Sequence, residues 1–151
     1  MRLLYPFLAV FILGVCQTGC ESTPKEPPAP PAPATYPLPP QGLLDSIFPF
    51  VTTVDFLFNS LPISMSVTEP NAIYTMYSHL SQTGAVQLEH GCKPIGRIFY
   101  VASGETALTG SLFFNKECHF VVFLENEEPV FAVQLNQNGI TFLKKAGVPD
   151  K

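Results

Sequence analysis

The sequence predicts an α+β domain: an antiparallel β-meander of four to five strands with helices packed on one face. Three observations carry this. Apolar runs rich in β-branched and aromatic residues recur between residues 97 and 135, split by short Gly, Asn and Glu turns. One stretch before them, 70–80, has helical spacing. The last segment ends in Lys144, Lys145, Gly147 and Pro149, the chemistry of a helix C-terminus. Strands gathered in one run and helices in others define α+β.

The elements follow in chain order. Leu43, Leu44, Ile47, Phe48, Val51, Val54, Phe58 and Leu61 recur at helical spacing, so 43–60 reads as helix. Pro49 should kink or split it, and 52–58 also permits a strand. A weak alternation over Leu61 to Val67 suggests a short strand. Thr68-Glu69-Pro70 announces a helix, with Thr68 as N-cap and Pro70 in the first turn. Ile73, Met76, Tyr77 and Leu80 form its apolar face, and Gly84 should end it. A short strand over Val86 to Glu89 precedes strands at 97–103, 106–114, 118–124 and 130–135. The third of these is almost wholly apolar, as a strand covered on both faces would be. Gly139 to Lys144 permits a strand, but Asn136 or Asn138 can cap a helix there, and the helix is the better reading.

The chain has 151 residues, of which 46% are hydrophobic and 13% charged, with thirteen Phe and no Trp. A formal net charge of −4 argues against a nucleic-acid partner, because phosphate binding needs clustered positive charge. The one adjacent basic pair, Lys144 and Lys145, suits a helix end.

Arg2 is followed by an apolar run, Leu3 to Val15, the layout of a secretory leader. It is too short to span a bilayer, which takes about 20 apolar residues. The leader ends in Gln17-Thr18-Gly19-Cys20. This segment resembles the lipobox of bacterial lipoproteins, in which small residues precede a cysteine that becomes the acylated N-terminus. The family usually has an aliphatic residue where this chain has Gln17. Cys16 is a rival acceptor, but Val15 stands where a small residue is wanted. The resemblance covers only the first 20 residues. It implies lipid attachment at Cys20 and an address in the bacterial cell envelope, anchored to a membrane. From Pro24 to Pro40, nine of 17 residues are proline. Such a segment reads as a polyproline II spacer, and Pro27 to Pro33 also has the composition of a ligand for aromatic grooves. The organisation is then a signal peptide at 1–19, a lipidated cysteine and tether at 20–41, and one domain at 42–151. Residues up to about Pro40 are expected to be dispensable for folding.

Two cysteines remain in the domain. Cys92 precedes one strand and Cys118 opens the strand two places on, so both lie at one end of the meander. An exported chain with an even count favours a Cys92–Cys118 disulfide. The intervening strand spaces their starts by roughly 10 Å, so the Gly91 to Pro94 loop must fold across. The alternative is metal. Glu89-His90-Gly91-Cys92 and Glu117-Cys118-His119 supply a His90, Cys92, Cys118, His119 set that suits tetrahedral zinc. Against it, His119 alternates with Cys118 and should point to the opposite sheet face.

Catalytic signatures are missing: the sequence holds no G-x-S-x-G, H-E-x-x-H or glycine-rich phosphate loop. His79 falls on the polar side of its helix and reads as solvated. Arg97 reads as a surface cation, and Glu127 with Glu128 as turn residues. No catalytic residue and no cofactor is assigned. The sequence therefore points to a membrane-anchored binding or interaction module, taking an envelope protein or a small ligand. The alternative is a small metal-binding or enzymatic domain using the His/Cys cluster.

Overall fold

A computed structural model of the chain describes residues 34–59, 61–84, 86–88 and 91–150. All of these belong to the compact unit Ala32–Lys151. The leader, Cys20 and most of the tether lie outside the described residues, as do Glu89 and His90.

The elements run β1 Ala34–Tyr36, α1 Leu43–Ile47, a 3₁₀ turn Phe48–Phe50, β2 Val51–Phe58, β3 Ser64–Val67, α2 Pro70–Ser78, β4 Leu80–Ser81, β5 Val86–Leu88, β6 Pro94–Ala102, β7 Glu105–Asn115, β8 Cys118–Glu125, β9 Glu128–Leu135 and α3 Gln137–Lys145. Seven strands form one curled antiparallel sheet in the order β3-β2-β6-β7-β8-β9-β4. β1 and β5 pair separately as a two-stranded ribbon. The class is mixed, with an antiparallel sheet, as the sequence predicts. The sheet is larger than the expected four to five strands.

The four-strand meander β6 to β9 is formed where the turn chemistry marks it. Ser103, Gly104, Asn126 and Glu127 all take positive φ, the backbone that tight hairpins need. β8 is apolar on both faces because both faces are covered. Val121 and Phe123 join the main core with Val54, Ile98, Tyr100 and Phe131. Cys118, Phe120 and Val122 join a second cluster with Phe113, Val86 and Ala132. Buried residues of α1, α2 and α3 pack in the first cluster only, so the helices share one face. The β1–β5 ribbon covers the other with Tyr36 and Leu88.

The segment 43–60 is not one helix. Pro49 sits at the start of the 3₁₀ turn and ends α1 after five residues. Beyond it Val54, Phe56 and Phe58 alternate inward as β2, the strand that adds a flank to the meander. Two further boundaries move. The N-cap of α2 is Glu69, not Thr68, and no side chain caps it. That helix stops at Ser78 rather than at Gly84, because Leu80 and Ser81 pair with Leu135 and Gln134. The predicted strand at Val86 exists, but it pairs with β1 instead of preceding the meander in the same sheet.

Ordered pairing begins before residue 42, at β1. Ala34, Thr35 and Tyr36 are the three consecutive residues without proline between Pro33 and Pro37, so their N–H groups are free to pair with Leu88, Gln87 and Val86. The Ala132 N–H donates to the Pro37 carbonyl at 3.0 Å, and Pro39 is buried. A chain shortened to begin at Gln41 is therefore expected to lose about 2 kcal/mol against one beginning at Ala32, from the uncovering of the second cluster. Urea denaturation of the two checks this; equal midpoints would return 34–40 to the tether.

α3 is the helix the sequence favours. The Asn136 Oδ1 accepts from the N–H groups of Asn138 and Gly139 at 3.0 and 3.1 Å. The same side chain donates to the Ser78 carbonyl at 2.6 Å, and the Asn136 N–H donates to the His79 carbonyl at 2.9 Å. One residue thus caps the start of α3 and satisfies two carbonyls at the end of α2. At the other end Gly147 takes φ +87° and donates to the Lys144 carbonyl, while Val148 donates to that of Leu143. This is the Schellman pattern, and Val148 and Leu143 are both buried beneath it.

Candidate functional site

Of the residues that the sequence gathers into one cluster, the fold joins Cys92 and Cys118 and turns His119 away from them. Cys92 and Cys118 form a disulfide with Cα atoms 5.9 Å apart. Cys92, in the loop before β6, reaches Cys118 on the face that Tyr36 and Leu88 of the ribbon cover. His119 points to the other face. Its ring meets that of Phe114 edge-on at 5.0 Å, and its Nε2 lies 3.1 Å from the Asp150 Oδ1. Lys144 holds the other oxygen of Asp150 at 2.8 Å. The lysine first, and then His119, keeps that carboxyl below the usual carboxylate range. His119 therefore ties the end of the chain to β8 and stands across the sheet from both sulfurs. His90 lies outside the described residues.

The remaining polar candidates also find structural partners. Arg97 is paired: its guanidinium donates to both oxygens of Glu127, at 3.0 and 2.5 Å, on the exposed surface. His79 is the opposite of solvated, at 9% exposure. It packs against Phe142 at 5.5 Å between ring centres, and Gly139 approaches so closely that an added Cβ would lie 2.9 Å from the His79 Cβ. The sequence reading placed His79 on the polar side of α2, but Gly139 and Phe142 of α3 cover it. Burial pushes the His79 pKa below its ordinary value. The unfolded chain then binds the proton more readily, so this contribution to stability is present above about pH 6.5 and falls as the pH drops below it. Comparing urea midpoints at pH 7.5 and 5.0 in the parent and in His79→Leu tests this. The loss on acidification should shrink in the variant.

Several concavities open among the described residues, and three of them bear on the choice of a site. An apolar cavity of about 30 Å³ lies in the main core near Tyr100, room for little more than water. A cleft of about 420 Å³ runs beside His119, with Gln87, Glu117 and Gln134 on its walls. The third is a groove of about 410 Å³ between α1 with its 3₁₀ turn and α2. It is the candidate site, because it combines ligand-sized volume with fixed, exposed aromatic groups.

The groove is built from two short segments. Asp45, Phe48 and Pro49 come from the first, and Pro70, Tyr74 and Tyr77 from α2. Pro49 turns the chain so that Phe48 points inward while Phe50 is left 68% exposed. The buried Phe48 ring lies 4.5 Å from that of Tyr77 and 5.2 Å from that of Tyr100, which makes it a fixed floor. The Tyr77 hydroxyl donates to the Asp45 carboxylate and accepts from the Gln82 amide at 2.8 Å. Burial, and then the bond to Asp45, raise the Tyr77 pKa, so the phenol stays protonated and continues to donate. One helical turn away, Tyr74 is 73% exposed. Neither Asp45 nor Glu69 has a cation within salt-bridge distance among the described residues.

The sequence reading missed this site. Tyr74 and Tyr77, three apart on a helix, were one available signal; the exposed Pro49-Phe50 pair after a short helix was the other. Comparison with known proteins finds no relative: no family model matches, no curated protein matches, and no solved structure matches the fold.

Proposed function

We propose that this chain is an exported bacterial lipoprotein of the cell envelope, held to a membrane through Cys20, whose domain is a binding module. The observation that carries the reading is a domain disulfide in a chain whose apolar leader ends at a lipobox-like Thr18-Gly19-Cys20. Structural disulfides belong to oxidising compartments, which lie beyond the cytoplasm. Among the described residues, no helix is long and apolar enough to cross a membrane. Two or three acyl chains on Cys20 would anchor firmly where one would not. The proline-rich segment after Cys20 would hold the domain off the surface.

Within the domain, the α1–α2 groove supports binding of an envelope protein or a small ligand. The metal-binding alternative on His90, Cys92, Cys118 and His119 is weakened, since a disulfide leaves no thiolates for a metal. Nucleic acid is disfavoured by the net charge and by the acidic groove.

Metabolic labelling with a clickable palmitate analogue tests the anchor. The expected result is a labelled protein in the membrane fraction, with label and membrane retention both lost in Cys20→Ser. An unlabelled soluble product, or a Cys20→Ser protein that keeps its label, would overturn it.

A further inference from the structure

We propose that the α1–α2 groove takes an extended, proline-containing peptide segment of a partner protein, with a basic residue in that segment. This rests on the binding-module reading and names its ligand class. Proline rings pack on aromatic faces, and a polyproline II segment is preformed, so ordering it costs little. The groove offers the matching surface. Phe48 is its floor, Pro49 and Pro70 are its walls, and Tyr74 and Tyr77 stand one helical turn apart along it. A polyproline II backbone has no internal hydrogen bonds, which leaves its carbonyls free to accept from a tyrosine hydroxyl. Of the large apolar side chains exposed among the described residues, Tyr74 and Phe50 are the two most exposed, and both belong to this region.

Charge selects the partner further. Asp45 lines the groove and Glu69 adjoins Pro70, and neither is paired with a cation among the described residues. Among the described residues, no Lys or Arg lines the groove. A basic residue in the peptide complements these carboxylates, at a gain in specificity and association rate. The same two carboxylates oppose docking on an anionic membrane, which rewards a basic surface.

The test uses the full chain in detergent micelles. It is titrated by fluorescence anisotropy with a labelled synthetic peptide, one lysine followed by prolines in P-x-x-P spacing. Saturable binding is expected. Tyr74→Ala should weaken it at least tenfold, as loss of a central aromatic anchor does. Tyr74 is 73% exposed, so its removal leaves the core untouched. Asp45→Asn should weaken binding several-fold and flatten its dependence on salt. Binding that fails to saturate by about 1 mM, or that Tyr74→Ala leaves unchanged, overturns the proposal. So does protection of the groove by anionic vesicles that the peptide does not relieve. A photo-crosslinking residue at position 50 in cells separates this failure from that of the module reading. A discrete protein adduct without peptide binding removes the ligand class alone. No adduct and no binding remove both.

Discussion

Replacing Phe123 with alanine is expected to destabilise the domain by roughly 3–5 kcal/mol, a large share of the 5–15 kcal/mol typical of a whole domain. Phe123 is fully buried in the main core. Its ring stacks on Phe131 at 4.9 Å and on Tyr100 at 5.8 Å, and so joins β9 to β6 on the face that the helices cover. Its register partner on β7 is Gly110, which has no side chain to fill the space that the ring leaves. An added Cβ at Gly110 would collide with the Val121 side chain, so that position cannot be refilled from the backbone. The lost transfer energy and the residual cavity therefore add. Tyr100 is also fixed by Phe48, the floor of the groove, so the loosening should reach the candidate site. Urea denaturation measures the loss. Val130→Ala is the control, on a strand but 37% exposed, and should move stability by only about 0.5 kcal/mol. Equal effects for the two would mean that the sheet has no single core beneath the helices.

How far the fold was legible depends on how local each signal is. The meander could be read because its hairpins announce themselves: Gly104 and Asn126 sit where positive φ is required, and the strand that leads to Asn126 is almost wholly apolar. α3 could be read from its two ends, Asn136 and Gly147. β2 could not, because Val51, Val54, Phe58 and Leu61 fit a helical period while Val54, Phe56 and Phe58 fit a strand. Only pairing with β6 decides between them. β1 was hidden by the prolines that flank it, which govern composition but leave three pairing residues free. His79 was misplaced because a helix shows its own polar side and not the helix that will cover it. The disulfide was legible from strand order, since Cys92 just precedes β6 and Cys118 opens β8, strands that start at one end of the sheet. The groove was not, because its two walls lie more than twenty residues apart and meet only after Pro49 has ended α1.

Breaking the Cys92–Cys118 bridge by Cys92→Ala, or by reduction, is expected to cost about 2–4 kcal/mol. The bridge spans 26 residues, so most of its effect is on the unfolded chain, whose freedom it limits. The native state loses less. Cys118 is 3% exposed among Phe113, Phe120 and Val122, and a lone thiol there packs as a small hydrophobe. Cys92 is only half-buried and leaves no large void. What the native state does lose is a clamp, since Cys92 follows β5 and ties the ribbon to the back of the sheet. Hydrogen exchange at Val86 to Leu88 should therefore accelerate more than exchange at Val121 or Phe123, which the main core protects. The α1–α2 groove, built on the opposite face, should keep its binding while the protein remains folded. Denaturation with and without reductant, followed by exchange on the oxidised and reduced forms, separates the two effects. If non-reducing peptide mapping finds both thiols free, the bridge is wrong. The second cluster would then hold two sulfurs 26 residues apart in sequence, with Cα atoms 5.9 Å apart, and metal ligation by the pair would become the better account of them.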